Sequence, residues 1–126
     1  ARFIEQVNVP ILNIHPSLLP KYPGLHPHQQ ALDNHDAFTG ATVHLVNEKM
    51  DDGHILAQAQ VPVLAEDTKE SLSQRVLRVE HKLYVEVLKW IAADRVLLGE
   101  HPIILDHHPL GPNGQLLSFS LTEKIA

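Results

Sequence analysis

Asn13 and His15 are the first residues whose types and spacing suit chemistry. They stand two apart at the end of the apolar run Ile11, Leu12, Ile14, so on a strand their side chains share one face. An amide donor can hydrogen-bond a developing oxyanion, and an imidazole moves a proton near neutral pH; together they suit acyl transfer. The alternative is a strand-end pair bonded to the following loop. Asp51 and Asp52 lie in a polar turn from which a carboxylate can orient His15 and support its charged form; equally, Asp-Asp-Gly is ordinary turn chemistry. Glu80 falls between Val76 and Leu83 on the apolar side of a helical pattern, where a carboxylate is costly without a partner. That partner is either a ligand amine or hydroxyl, or a lysine or arginine of a structural ion pair.

Ten of the 126 residues are histidine, which raises the question of a metal. No His-Glu-x-x-His is present, and His26, His28, His107 and His108 fall in proline-rich segments with no third ligand fixed by spacing, so no metal site is expected. His44 and His81 are expected to pack or to support the site. The absence of cysteine excludes disulfide scaffolds, thiolate-bound metals and cysteine nucleophiles. The six glycines are dispersed and form neither a dinucleotide fingerprint nor a P-loop, and no Gly-x-Ser-x-Gly occurs.

These residues need elements to hold them. Val9–His15 reads as a short strand buried on both faces, stopped by Pro16. PSLLPKYPGLHP, residues 16–27, carries too many prolines for a helix or central strand and reads as an ordered loop of the kind that often bears function. A short helix is expected over His28–Asn34, then strands over Ala41–Val46 and Ile55–Val63, paired antiparallel across the turn NEKMDDG. Asp67-x-x-Glu70 marks a helix start. The helix runs to about Ala93 with Leu72, Val76, Val79, Leu83, Val87 and Trp90 as its buried stripe. Val96–Leu98 and Ile103–Leu105 read as a final hairpin, and residues 106–126 give no clear pattern. A twice-buried first strand requires neighbours that the downstream pattern hardly supplies, so the chain is expected to begin inside a fold, with the rest of the sheet coming from residues outside it or from a partner.

A length of 126 residues suits one domain, and 44% hydrophobic with 20% charged residues is globular composition. The formal charge of −5 and 5% aromatic content disfavour nucleic acid as a partner. No apolar stretch is long enough to span a membrane and no signal peptide is visible, so a cytoplasmic protein is expected.

The run Leu12-Asn13-Ile14-His15-Pro16-Ser17-Leu18-Leu19-Pro20-Lys21-Tyr22-Pro23-Gly24-Leu25-His26 closely resembles the phosphoribosylglycinamide formyltransferase family of purine synthesis. The likeness continues through Gly40–His44, Met50-Asp51-Asp52-Gly53, Gln58–Val63 and Arg75-Val76 to Glu80-His81, over roughly residues 1–105. Formyltetrahydrofolate hydrolases and methionyl-tRNA formyltransferases share the Asn-x-His pair but differ after it; Pro16 and the Lys21–His26 continuation favour the glycinamide enzymes.

The resemblance implies an α/β, Rossmann-like formyltransferase fold, here the C-terminal half of a mixed sheet flanked by helices, lacking the nucleotide-binding half. It implies formyl transfer from 10-formyltetrahydrofolate, the donor cosubstrate, to the amine of glycinamide ribonucleotide, without metal. Asn13 would stabilise the oxyanion and contact the folate, His15 would be the general acid/base, and Asp51 would set its charge. The backbone of Asn47, Glu48, Lys49, Met50 and Asp51 would hold the pterin. Pro16 would line the substrate channel and Glu80 would contact glycinamide ribonucleotide. Asp52 departs from the family's common Gly or Ala. The alternatives are hydrolysis of the same folate, or a non-catalytic module that assembles as a homo-oligomer through an open sheet edge.

Overall fold

The computed structural model describes residues 12–22, 24–46, 55–98 and 103–119. Among these residues the elements are β1 (Leu12–His15), α1 (Pro27–Asp33), β2 (Phe38–Leu45), β3 (Ile55–Pro62), α2 (Lys69–Ala92), β4 (Val96–Leu97), β5 (Ile104–Leu105), β6 (His108–Pro109) and β7 (Gln115–Leu117). The main sheet has the order β1-β2-β3-β7 and is mixed: β1–β2 and β2–β3 are antiparallel, β3–β7 parallel. β4, β5 and β6 form a small antiparallel sheet, which extends the expected final hairpin by a strand.

The two faces of the main sheet are covered differently. Thr42 pairs with Gln58 and Ala41 with Ala59 across β2 and β3, so by pleat alternation the polar and apolar pairs point to opposite sides. The proline-rich loop lies over the polar pair, with the Leu19 amide donating to Thr42 Oγ1 and Gln58 Nε2 to the Leu19 carbonyl. Helix α2 packs across β2 and β3 and buries Leu72, Val76, Val79, Leu83, Val87 and Trp90, the six stripe residues expected from the spacing. Truncating a fully buried member such as Leu83 would cost about 2–5 kcal/mol. Gly40 permits the loop's close approach, since a Cβ there would run into the Ala59 carbonyl and lie 2.7 Å from Leu18 Cδ2.

Three expectations are corrected. β1 is not buried on both faces: Asn13 is exposed, Leu12 and Ile14 are half-buried, and among the described residues it pairs only with β2. The start of α2 is capped one residue later than expected, by a reciprocal Thr68–Ser71 box, which frees Asp67 for Arg75. The tail is not patternless, because Gly114, at φ +67°, turns the chain so that β7 adds to the main sheet beside β3.

Candidate active site

The site is built where β1 ends. Asn13 and His15 share a face, as their spacing requires, but their surroundings differ. Asn13 is exposed; its Oδ1 accepts from the Ile14 amide at 2.9 Å, which fixes the side chain by its oxygen and turns the amide nitrogen, the donor, away from that bond. His15 is only 8% exposed, and its Nε2 lies 2.8 Å from the Tyr22 carbonyl. Pro16 follows, half-buried, and ends β1 because it has no amide hydrogen for a ladder.

Buried polar groups hold the loop that returns to His15. Ser17 Oγ donates to the Lys21 carbonyl at 2.6 Å, and Thr42 Oγ1 donates to the Ser17 carbonyl at 2.8 Å. Gln58 Nε2 reaches both the Leu19 carbonyl and Thr42 Oγ1. Tyr22 is in the left-handed region, at φ 51°, and its hydroxyl donates to Asp36 Oδ2 at 2.7 Å while accepting from Asn34 Nδ2.

Glu80 comes from the middle of α2. It is half-buried, no ion pair reaches it among the described residues, and it borders a groove of about 300 Å³ lined by Ile14, Leu77, Glu80, His81, Tyr84 and Val85. Burial raises its carboxyl above the usual range, and the neighbouring imidazoles of His81 and His15 pull the other way. Of the two readings open for Glu80, the structural ion pair is not seen among the described residues. His28, in the first turn of α1, is the second titratable group coupled by charge to His15: burial lowers its ring, then Lys69 and His15 by charge, and its buried Nδ1 has no hydrogen-bond partner among the described residues.

The structure thus groups His15, Pro16, Asn13 and Glu80 around the end of β1. Asp51, and Asn47, Glu48, Lys49 and Met50 before it, lie outside the described residues. Among the described residues no cluster of three or more metal-ligating side chains occurs. His44 is buried within β2, and His81 is exposed and lines the groove beside Glu80; the two take the packing and the site-side places between which the expectation was open. Sequence reasoning missed Tyr22, Thr42, Gln58 and His28. Thr42 and Gln58 left a faint signal: each is a polar residue near the centre of a strand that is mostly apolar, though Thr39, His44 and Gln60 share that property.

The formyl transferase family's model matches residues 1–88. The chain belongs to the formyl transferase family. The matched model is that of the family's N-terminal domain rather than of a C-terminal portion, and residues 89–126 lie beyond it. The phosphoribosylglycinamide formyltransferase of Escherichia coli is 45% identical over 112 residues, covering 89% of this chain and 53% of that protein. The crystal structure of the Coxiella burnetii protein of the same name superposes with a TM-score of 0.84 at 39% identity, over 91% of this chain and 54% of that one. A formyltetrahydrofolate deformylase from Pseudomonas syringae gives 0.76 at 30% identity, over 82% and 35%. The chain spans about half the length of the curated bacterial relatives it matches. Its mixed sheet with packed helices is accordingly a formyltransferase fold. Among the described residues no helix is long and apolar enough to cross a membrane.

Proposed function

We propose that this chain carries the reacting residues of a phosphoribosylglycinamide formyltransferase, which moves a formyl group from 10-formyltetrahydrofolate to the amine of glycinamide ribonucleotide. The observation that carries the reading is the grouping at the end of β1: an exposed amide at Asn13, a buried and held imidazole at His15, and a half-buried carboxylate at Glu80 with no ion pair among the described residues. Glu80 accepts hydrogen bonds from glycinamide ribonucleotide and holds its amine end by the groove, with Pro16 along the channel. The amine nitrogen bonds to the formyl carbon, and Asn13 donates to the resulting oxyanion. His15 takes the proton the amine sheds and returns one to the folate nitrogen as the C–N bond breaks, giving tetrahydrofolate and the formylated amine. Asp51 supports the charged imidazole, and the backbone of residues 47–51 holds the pterin. No step calls on a metal.

Residues 1–126 are on this reading part of a formyltransferase domain whose nucleotide-binding half lies elsewhere, working in the cytoplasm, with β1's outer edge available to a second copy. With both substrates the protein should yield formylglycinamide ribonucleotide, and His15→Ala or Asp51→Ala should lower turnover about 10²–10⁴-fold. Near-wild-type turnover in either variant overturns the assignment. The deformylase likeness supplies the second reading, in which water replaces the amine. Formate released equally with and without glycinamide ribonucleotide would favour that reading.

A further inference from the structure

We infer that Tyr22, clasped by Asp36 and Asn34, is a positioning residue that fixes the tautomer of His15 through its own backbone carbonyl. The inference rests on reading His15 as the proton-carrying group, but its main observable is independent of any reaction. A carbonyl oxygen only accepts, so the 2.8 Å separation from the Tyr22 carbonyl requires that Nε2 of His15 carry a hydrogen. The neutral ring is then the Nε2–H form, and the proton it gains or gives up is the one on Nδ1. This hydrogen bond favours Nδ1 as the nitrogen that exchanges a proton.

That carbonyl is where it is because Tyr22 is held from both ends. Its backbone takes the left-handed conformation, uncommon for a bulky residue, at φ 51°. Ser17 Oγ, 2.6 Å from the Lys21 carbonyl, also lies 3.3 Å from the Tyr22 carbonyl, and Ser17 is anchored in turn through Thr42 to the centre of the sheet. At the far end the phenol donates to Asp36 Oδ2 at 2.7 Å and accepts from Asn34 Nδ2 at 3.0 Å, while Lys21 Nζ lies 3.6 Å from the other Asp36 oxygen. The hydrogen bond to Asp36 holds the proton on the phenol and raises it above the usual tyrosine value, which keeps it a donor at any working pH. Asp36 lies beyond α1, where sequence spacing gives no hint of a link to His15. Its carboxylate fixes a ring, the ring fixes a strained backbone, and the backbone fixes the imidazole. Glu80 on α2 and His28 on α1, the charged and titratable groups coupled to that imidazole from the packed helices, interact with it by charge.

The test is nitrogen NMR of His15 in the 126-residue chain at a pH where the ring is neutral. The wild type should show the Nε2–H form alone; the Nδ1–H form, or an even mixture, overturns the inference without any variant. Tyr22→Phe keeps ring and carbonyl but removes the clasp, and should give a tautomer mixture with the remaining amide spectrum unchanged. Asp36→Asn, which still accepts from the phenol, should retain the wild-type form, and Asp36→Leu should lose it. A single Nε2–H form persisting in folded Tyr22→Phe or Asp36→Leu would also overturn the inference. In the formyl transfer assay Tyr22→Phe should lower kcat roughly ten- to a hundredfold with KM little changed. Loss of the tautomer with kcat intact would overturn instead the role given to His15.

Discussion

Asp67, just before α2, and Glu80, at its middle, are both carboxylates withdrawn from water, and they are treated in opposite ways. Asp67 has a side chain 3% exposed and every oxygen engaged: Arg75 approaches bidentately at 2.7 and 2.8 Å, the Leu64 amide donates to Oδ2 and Ser71 to Oδ1. Arg75 also donates to the Pro62 carbonyl, so the pair ties the end of β3 to the first turns of α2. The arginine hydrogen bonds hold the Asp67 carboxyl well below the usual range, although burial opposes them. Glu80 has only burial and two imidazoles, and its carboxyl is pushed up. A carboxylate satisfied by its own chain is architecture. One left short of partners beside a groove is available to a ligand.

The comparison can be broken most decisively at Arg75. Arg75→Ala leaves a buried carboxylate unpaired and should lower stability by about 3–5 kcal/mol in a denaturant titration; a loss under about 1 kcal/mol would place Asp67 with the surface pairs. Next, Glu80→Gln should weaken binding of glycinamide ribonucleotide by about 1.5–3 kcal/mol through loss of a charged acceptor, read by calorimetry against the wild type, with the fold intact. Unchanged binding would remove Glu80 from the site.

The pH dependences should have opposite signs. The folded-state value of Asp67 is depressed, so its contribution is present above the ordinary aspartate value of about 4 and is lost as pH falls below it. That of Glu80 is raised, so its contribution is present below the ordinary glutamate value and is lost as pH rises through the folded-state value. Glutamine mimics the protonated form. Glu80→Gln should therefore match the wild type near pH 4 and exceed it in thermal midpoint at pH 8; the reverse order would contradict the assignment. The smallest effect belongs to Arg95 and Asp106, a bidentate pair whose side chains are 44% and 47% exposed. Screening by water and salt should leave the unfolding midpoint of Arg95→Ala close to the wild type.

Much of this is legible in the sequence. The buried stripe of α2 is written in its spacing, and the loop is written in prolines that admit neither helix nor ladder. Asn13 and His15 share a face because strand periodicity is two. Less legible was how much of each residue the fold leaves uncovered: Asn13 stays open while His15 is covered, because only the loop's return over β1 decides it. The cap of α2 depends on a contact of the same kind. Asp67 and Thr68 are both good caps, and the choice fell to Thr68 once Arg75 had claimed Asp67.

By itself the sequence determined the local order of elements, the candidate residues for acyl chemistry and the family, since backbone restriction, hydrophobic period and motif spacing are properties of neighbours along the chain. Only the tertiary structure decided which nitrogen of His15 is held, that Gln58 and Thr42 anchor the loop, that His28 is coupled by charge to the imidazole, and that β7 joins the sheet beside β3. Each of those depends on a hydrogen bond or a register between distant segments, such as Gln58 to Leu19 across 39 positions, and a polar group's partner at that range is chosen by packing rather than by spacing.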